Sequence, residues 1–398
     1  MRQVGFVSAA GPVCFRGRSW FSLPRLGWKP LIINGLSFSP CSVWGRDFCV
    51  TPCISSVSAP VINTVFNNFG AMKTLLLCLA LLAGPADTLR AMFWNLENFF
   101  DTRADSTSTS ELEFTPRGER HWTRTRFRAK CNAVAKGVLW AATRHGGLPD
   151  IIGLAEVENS LVLRRLTNET ALRKAGYKIV HYDSPDPRGI DVALLYRPSR
   201  LVLVDSKPCH IYGADSTIIP TRDILLARFE TPSGEDLAVL VNHHPSKYGG
   251  VTVSGPRRKS AVERLRFLAD SLQALECSIL AMGDMNDTPD NPVYQILEPS
   301  LKNLALPLHR QGEGTIFYDG RWEVIDMYFI GPGVYARPMI ILRIPFLMTR
   351  DSKYSTMKPL RTYSGPRYLG GASDHCPIWL EIHFGREKQD RPLEESRR

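Results

Sequence analysis

Residues 278–286 read Ser-Ile-Leu-Ala-Met-Gly-Asp-Met-Asn and end on Asp284-Met285-Asn286. An apolar run followed by glycine and two short polar residues predicts a buried strand over Ser278–Met282 that stops at a polar end. The same shape recurs along the chain. Ala-Met-Phe-Trp, from Ala91, ends at Asn95, and Ile-Ile-Gly-Leu-Ala, from Ile151, ends at Glu156. Leu-Ala-Val-Leu-Val, from Leu237, ends at Asn242-His243-His244, and Ser373-Asp374-His375 precedes the last apolar stretch, Pro377–Phe384. Singly, each is an ordinary strand end, since Asp and Asn suit turns and a lone histidine is most often structural. Together they supply oxygen donors suited to a hard metal and two imidazoles, a combination that independent turn residues have no reason to provide.

On either side of this stretch, strands alternate with helices. Phe127, Cys131, Val134, Val138 and Ala142 fall at helical spacing, closed by Gly146-Gly147. Leu161–Lys174 predicts a second helix ending at Gly176, then a strand over Tyr177–Tyr182. Strands follow at Ile190–Tyr196 and Leu201–Val204, and Pro232-Ser233-Gly234 predicts a hairpin between Ile224–Glu230 and Leu237–Asn242. Ala261, Leu265, Leu268 and Leu272 mark a third helix, and Val324–Ile330 a late strand. No linker or repeat interrupts residues 87–384, which read as one α/β (α+β) domain of two packed mixed sheets under helices.

The chain has 398 residues, 44% hydrophobic and 22% charged, which excludes disordered, collagen-like and small disulfide-scaffold classes. Its net charge of +10 suggests a polyanionic partner, but half of that excess lies in residues 1–71, where six basic residues face Asp47 alone. Residues 72–86 have the parts of a secretory signal peptide: Met72, Lys73, the apolar run Leu75–Ala83, and Gly84 and Ala86 before a cleavage point. The run is too short to span a bilayer, for which about 20 residues are needed. The competing readings are a buried element or a membrane-surface anchor. The expectation is a start at Met72, residues 1–71 being a non-native or disordered extension, and a secreted or periplasmic mature chain from Asp87. Residues 385–398 read as a loose polar tail. Cys131, Cys209, Cys277 and Cys376 are scattered without CxxC spacing, so neither a zinc site nor a disulfide pairing is assigned.

Taken together, Phe93-Trp94-Asn95-Leu96-Glu97-Asn98, Leu154-Ala155-Glu156-Val157, Arg188-Gly189-Ile190-Asp191, Val241-Asn242-His243, Gly283-Asp284-Met285-Asn286, Val324-Ile325-Asp326 and Ser373-Asp374-His375 resemble the endonuclease/exonuclease/phosphatase superfamily, in its order and over Leu89–Phe384. A bacterial, often exported subgroup is resembled most, through Asn98-Phe99-Phe100-Asp101, His243-His244-Pro245-Ser246, Arg361-Thr362-Tyr363 and Gly365-Pro366-Arg367-Tyr368. The resemblance implies a four-layer sandwich like that of deoxyribonuclease I and a Mg²⁺- or Mn²⁺-dependent phosphoric ester hydrolase. It implies Glu156 as main metal ligand with Asn95 and Asp374 nearby, and Asp284 as the group that deprotonates the attacking water. Asn286 would hold phosphate or water from an extended segment. His375, oriented by Asp326, would stabilise the transition state, and His243 would be a second donor, with His244 as an alternative to it.

Arg188, Lys247, Arg361 and Arg367 flank these motifs and are candidate phosphate contacts, against a bland reading as solvated charges. Arg257-Arg258-Lys259 is expected to open a helix as a solvated face. The leading expectation is an exported monomeric nuclease acting on DNA or RNA, with no protein partner and no transmembrane anchor. A phosphatase or lipid phosphodiesterase on the same scaffold is the alternative, and a non-catalytic binding protein the outsider.

Overall fold

Two parallel strand pairs carry the architecture, and each is joined by a long helix. The computed structural model describes residues 31–33, 36–38, 88–104, 108–247 and 250–384. The chain divides into two units, residues 1–81 and 82–398. In the first, Leu31–Ile33 pairs antiparallel with Leu36–Phe38, a pairing the sequence reading did not anticipate. The expectations for a leader over 72–86 and a tail over 385–398 lie outside the described residues, as does nearly all of 1–71.

In the second unit, β1 (Leu89–Phe99) leads through α1 (Arg124–Arg144) to β2 (Ile151–Val157), parallel to it. After α2 (Ser160–Glu169), β3 (Lys178–His181) and β4 (Asp191–Tyr196) pair antiparallel beside β2. β5 (Val202–Cys209), β6 (Ile224–Glu230) and β7 (Asp236–His243) form an antiparallel meander. The crossover α3 (Val251–Gln273) then delivers β8 (Ser278–Asp284) parallel to β7. β9 (Lys302–Asn303) and β10 (Asp326–Ile330) extend that sheet, while β11 (Val334–Ala336) and β12 (Ile378–Phe384) join the first. The orders are β11-β12-β1-β2-β4-β3, with Ile340–Ile341 also on β12, and β9-β10-β8-β7-β6-β5. Both sheets are mixed, with helices outside them.

Strands that are buried on both faces read as continuous apolar runs, because side chains alternate between the opposite sheet and the covering helices. One cluster, with Phe93, Val239, Leu280 and Met282, lies between the sheets; a second, with Trp94, Ile152, Leu166 and Val134, lies under α1 and α2. The Tyr328 hydroxyl donates to the Ile378 carbonyl at 3.2 Å and ties one sheet to the other.

Several sequence expectations shift. The helix predicted over Leu161–Lys174 is two pieces, because Thr170 is extended and caps a short 3₁₀ turn, Ala171–Ala175, with its hydroxyl on the Leu172 amide. The strand expected at Leu201–Val204 runs to Cys209; it is an edge strand and so tolerates Pro208. The helix expected to open at Arg257 starts at Val251, with Pro256 inside it. Arg258 is therefore not solvated: it is buried, its guanidinium on Asp287 at 3.2 Å. All four cysteines among the described residues are buried and free.

Gly283 has a tertiary reason for being glycine. A Cβ there would lie 2.2 Å from the Asn242 carbonyl oxygen on the parallel neighbour β7. Backbone cannot step aside as a side chain can, so β7 and β8 would have to separate. Gly283→Ala is expected to lower stability by about 3 kcal/mol. It should also depress activity, because the adjacent pair Asp284 and His243 is set by that spacing. Urea unfolding beside a rate measurement checks both.

Candidate active site

The parallel strands end at one place. β1 and β2 bring Asn95 and Glu156 there, β7 and β8 bring His243 and Asp284, and the turn before β12 brings Asp374 and His375. Polar ends of parallel strands are where open α/β sheets place ligands, since the chain leaves the sheet and frees backbone and side chains together.

Glu156 reaches the site through a bulge. Ala155 pairs with Val192 and Val157 with Asp191, which leaves Glu156 unpaired at φ 60°. On its other side β1 carries extra residues between Asn95 and Phe99, with Glu97 and Asn98 at φ 46° and 51°. A bulge re-aims a side chain that the pleat would send elsewhere, and three left-handed non-glycine residues in so small a volume mark a strained, specialised backbone. The Glu156 carboxylate accepts from the Asn98 amide at 2.7 Å and from Asn95 Nδ2 at 3.3 Å.

Asp284 is buried and accepts from Asn95 Nδ2 at 2.9 Å and from the Asn286 amide at 2.9 Å. Burial, with the charge of Asp326 adding to it, pushes its carboxyl up to about 7. His375 Nδ1 lies 2.8 Å from Asp326 Oδ2, and its Nε2 lies 3.8 Å from Asp284 and 3.9 Å from Asp374. Burial alone would lower His375, yet Asp326, Asp284 and Asp374 together hold it well above the usual histidine value. It is an imidazolium at neutral pH. Asp284, Asp326 and His375 are close enough to share an ion. The short His375–Asp326 bond makes them instead a carboxylate-oriented imidazole facing a second carboxylate.

His243 points Nε2 at both carboxylates, 3.7 Å from Asp284 and 3.9 Å from Glu156. Burial and the charges of Arg222 and Arg188 hold it well below the usual value, so it is neutral. The two histidines thus differ in charge, one a cation and one a neutral imidazole. The His244 amide donates to the Asp284 carbonyl at 2.9 Å; burial and Arg222 push its ring down to about 3, and its carbonyl accepts from Arg222 and from Asn286 Nδ2. Asn286 departs from the expected extended geometry. Its φ is 50°, and its Nδ2 donates to the His244 carbonyl at 2.9 Å.

The basic candidates divide. Arg361 is held by Glu97 at 3.0 Å and Asp374 at 2.9 Å. Lys247 pairs with Asp287 at 3.1 Å, and Arg188 with Asp186 at 3.3 Å. Arg367 is exposed on the hairpin Tyr363–Tyr368, without an ion pair among the described residues.

Two residues escaped the sequence reading. Glu97, buried and raised to about 7 by burial and then by Asp374, also accepts from the Thr362 amide at 2.6 Å. Lys130, fully buried and lowered by burial to about 8, donates to the Glu97 carbonyl at 2.5 Å and Thr362 Oγ1 at 2.8 Å. The signal for Lys130 was present: it sits on the apolar stripe of α1, three residues after Phe127 and four before Val134.

Five carboxylates (Glu97, Glu156, Asp284, Asp326 and Asp374) gather here against Lys130, Arg361 and His375, and burial raises two of them. Glu156 and Asp374 are the more accessible, with side chains 16% and 35% exposed. Hard oxygen donors with surplus negative charge fit a divalent cation such as Mg²⁺ or Mn²⁺.

Comparison with known proteins identifies the family. No curated protein matches the chain. Among solved structures, the human Nocturnin catalytic domain with bound sulfate anion is similar at 17% identity and TM-score 0.50, over 75% of this chain and 94% of that one. The Bacteroides thetaiotaomicron mannosyl-6-phosphatase is similar at 15% identity and TM-score 0.47, over 74% and 100%. D. rerio TDP2 complexed with single strand DNA product is similar at 15% identity and TM-score 0.46, over 74% and 99%. The model of the endonuclease/exonuclease/phosphatase family matches residues 90–384. With its two mixed sheets of the deoxyribonuclease I type, the chain is a hydrolase that belongs to the endonuclease/exonuclease/phosphatase family.

Proposed function

We propose that the chain is a divalent-metal-dependent phosphodiesterase that cuts by attack of an activated water, with a nucleic acid as substrate. The observation that carries this reading is the buried Asp284 carboxyl, raised to about 7 and facing both a cationic and a neutral imidazole. A carboxylate with that value is a competent base near neutral pH, because it is ionised and still basic enough to take a proton.

Glu156, with Asn95 and Asp374 beside it, would hold Mg²⁺ or Mn²⁺. Bound there, the cation would supply charge neutralisation at the phosphoryl oxygens. Asp284 takes a proton from water as its oxygen attacks phosphorus, and the ester oxygen leaves on the opposite side. Asn95 Nδ2 bridges Glu156 and Asp284, so metal and base positions are held in one register. His375 donates to the phosphoryl oxygens as charge builds, oriented by Asp326. His243, a neutral donor, serves the scissile phosphate or the leaving oxygen.

The test is hydrolysis of plasmid DNA, RNA, a chromogenic diester, a monoester and sphingomyelin with Mg²⁺, with Mn²⁺ or with EDTA. Metal-dependent cleavage of DNA or RNA, abolished by EDTA, is the expected result. Preference for the monoester or for sphingomyelin would replace the nuclease reading by a phosphatase or a lipid phosphodiesterase. Undiminished rates in EDTA would overturn the metal assignment.

A further inference from the structure

We propose that the cleft beside His243 and His244 is a second phosphate subsite, which favours substrates that carry a non-scissile phosphate next to the scissile one, as a nucleic-acid strand does. It rests on the phosphodiesterase reading above and narrows its substrate.

The cleft has a volume of about 470 Å³ and is walled by Pro187, Pro220 and Pro245, each from a different loop. That is room for a phosphate with an attached sugar. Its charged lining is Arg188, Arg222 and Arg257 against Asp186 alone. Asp186 serves two guanidiniums at once, Arg222 at 2.8 Å and Arg188 at 3.3 Å, so it compensates only one of them. Arg257 is exposed and has no ion pair among the described residues.

The wall also holds donors without acceptors. Arg222 is 4% exposed and Thr221 3%, yet Arg222 Nε and Thr221 Oγ1 have no hydrogen-bond partner among the described residues. A buried donor left unmade costs more than a made bond returns, so such a pair invites an oxygen-rich anion. A guanidinium and a hydroxyl together suit the several acceptor oxygens of a phosphate.

Position links the cleft to the chemistry. Arg222 donates to the His244 carbonyl at 2.5 Å, the same oxygen that accepts Asn286 Nδ2. His243, one residue earlier, lies within 4 Å of Asp284 and Glu156. A strand with one phosphate at Glu156 would therefore lay a neighbouring phosphate toward these arginines.

Calorimetric titration of the full chain, with a nucleoside 3′,5′-bisphosphate and with the matching 5′-monophosphate, tests the subsite. The wild type should bind the bisphosphate at least about tenfold more tightly, a gap of about 1.4 kcal/mol. Arg257→Glu, on α3, should erase that advantage, and Arg188→Glu, on the loop before β4, should do the same; circular dichroism checks that both variants fold. Equal affinity for the two probes in the wild type, or an advantage that survives both substitutions, overturns the proposal. Cleavage of an oligonucleotide and of a one-phosphate chromogenic diester is read separately. If neither is cut, the phosphodiesterase reading falls while calorimetry still decides the subsite. If both are cut equally well and the binding advantage is absent, the subsite alone falls.

Discussion

Asp284→Asn is expected to reduce kcat by about 10³-fold, or about 4 kcal/mol of barrier, and to leave the fold intact. The amide keeps the size of the carboxylate and can still accept from the Asn286 amide through its oxygen, a bond of 2.9 Å in the native chain. It cannot take a proton from water. Nor does the substitution strip a stabilising charge from the core, because burial already disfavours ionisation of Asp284. The new amide nitrogen would face Asn95 Nδ2, where the native Oδ2 accepts at 2.9 Å, so a modest loss of stability is expected beside the loss of rate. A thermal melt within a few degrees of wild type beside a thousandfold slower single-turnover rate is the expected pattern. A variant that keeps more than a tenth of the wild-type rate would remove Asp284 from the role of base.

His375→Ala should lower kcat by about 10²- to 10³-fold, the second largest effect. Most of what residue 375 contributes to the fold is main chain and survives the substitution. Its carbonyl accepts from Trp94 Nε1 at 2.9 Å, its amide donates to Ser373 Oγ at 2.9 Å, and the segment bridges to Ile316. What the alanine removes is the cationic donor and the partner of Asp326, a buried carboxylate whose Oδ1 has no hydrogen bond among the described residues. Some loss of stability is expected for that reason, since an unpaired buried charge is costly. Asp326→Asn makes the sharper comparison. It leaves the imidazole in place but removes the charge that orients it and holds it protonated, so a loss of about ten- to a hundredfold is expected. If Asp326→Asn were as active as wild type, the carboxylate would be structural only.

These two residues also show how far the chain could be read before its fold was known. Asp284 ends an apolar run, and its neighbours Gly283 and Asn286 mark a strand leaving the sheet. The strand ends at Asn95, Glu156, Asp284 and His375 were legible for the same reason: a period-two or continuous apolar pattern is local, and it stops where the chain turns. The matching reading of two packed sheets followed from the number and alternation of those runs. The outcome for the basic residues was different. Arg361 was singled out by position, but its bonds to Glu97 and Asp374 could not be read from the sequence. Arg258 looked like surface and is buried on Asp287. Arg222 was passed over and lines the cleft beside His243. A long charged side chain can reach several ångströms in many directions, so the residue that meets it is set by strands distant in sequence.

The core strands, the apolar stripes of α1 and α3, and the polar residues at the strand ends were legible in the sequence. That two parallel pairs, β1 with β2 and β7 with β8, bring those ends to one point follows from packing. Only there do bulges turn Glu97 and Glu156 into left-handed backbone, Gly283 become obligatory against the Asn242 carbonyl, and burial raise Asp284 toward neutrality. The physical reason is one of range. Strand and helix patterns are written by neighbours a few residues away, whereas desolvation, charge pairing and close backbone approach depend on groups that only the packed sheets make neighbours.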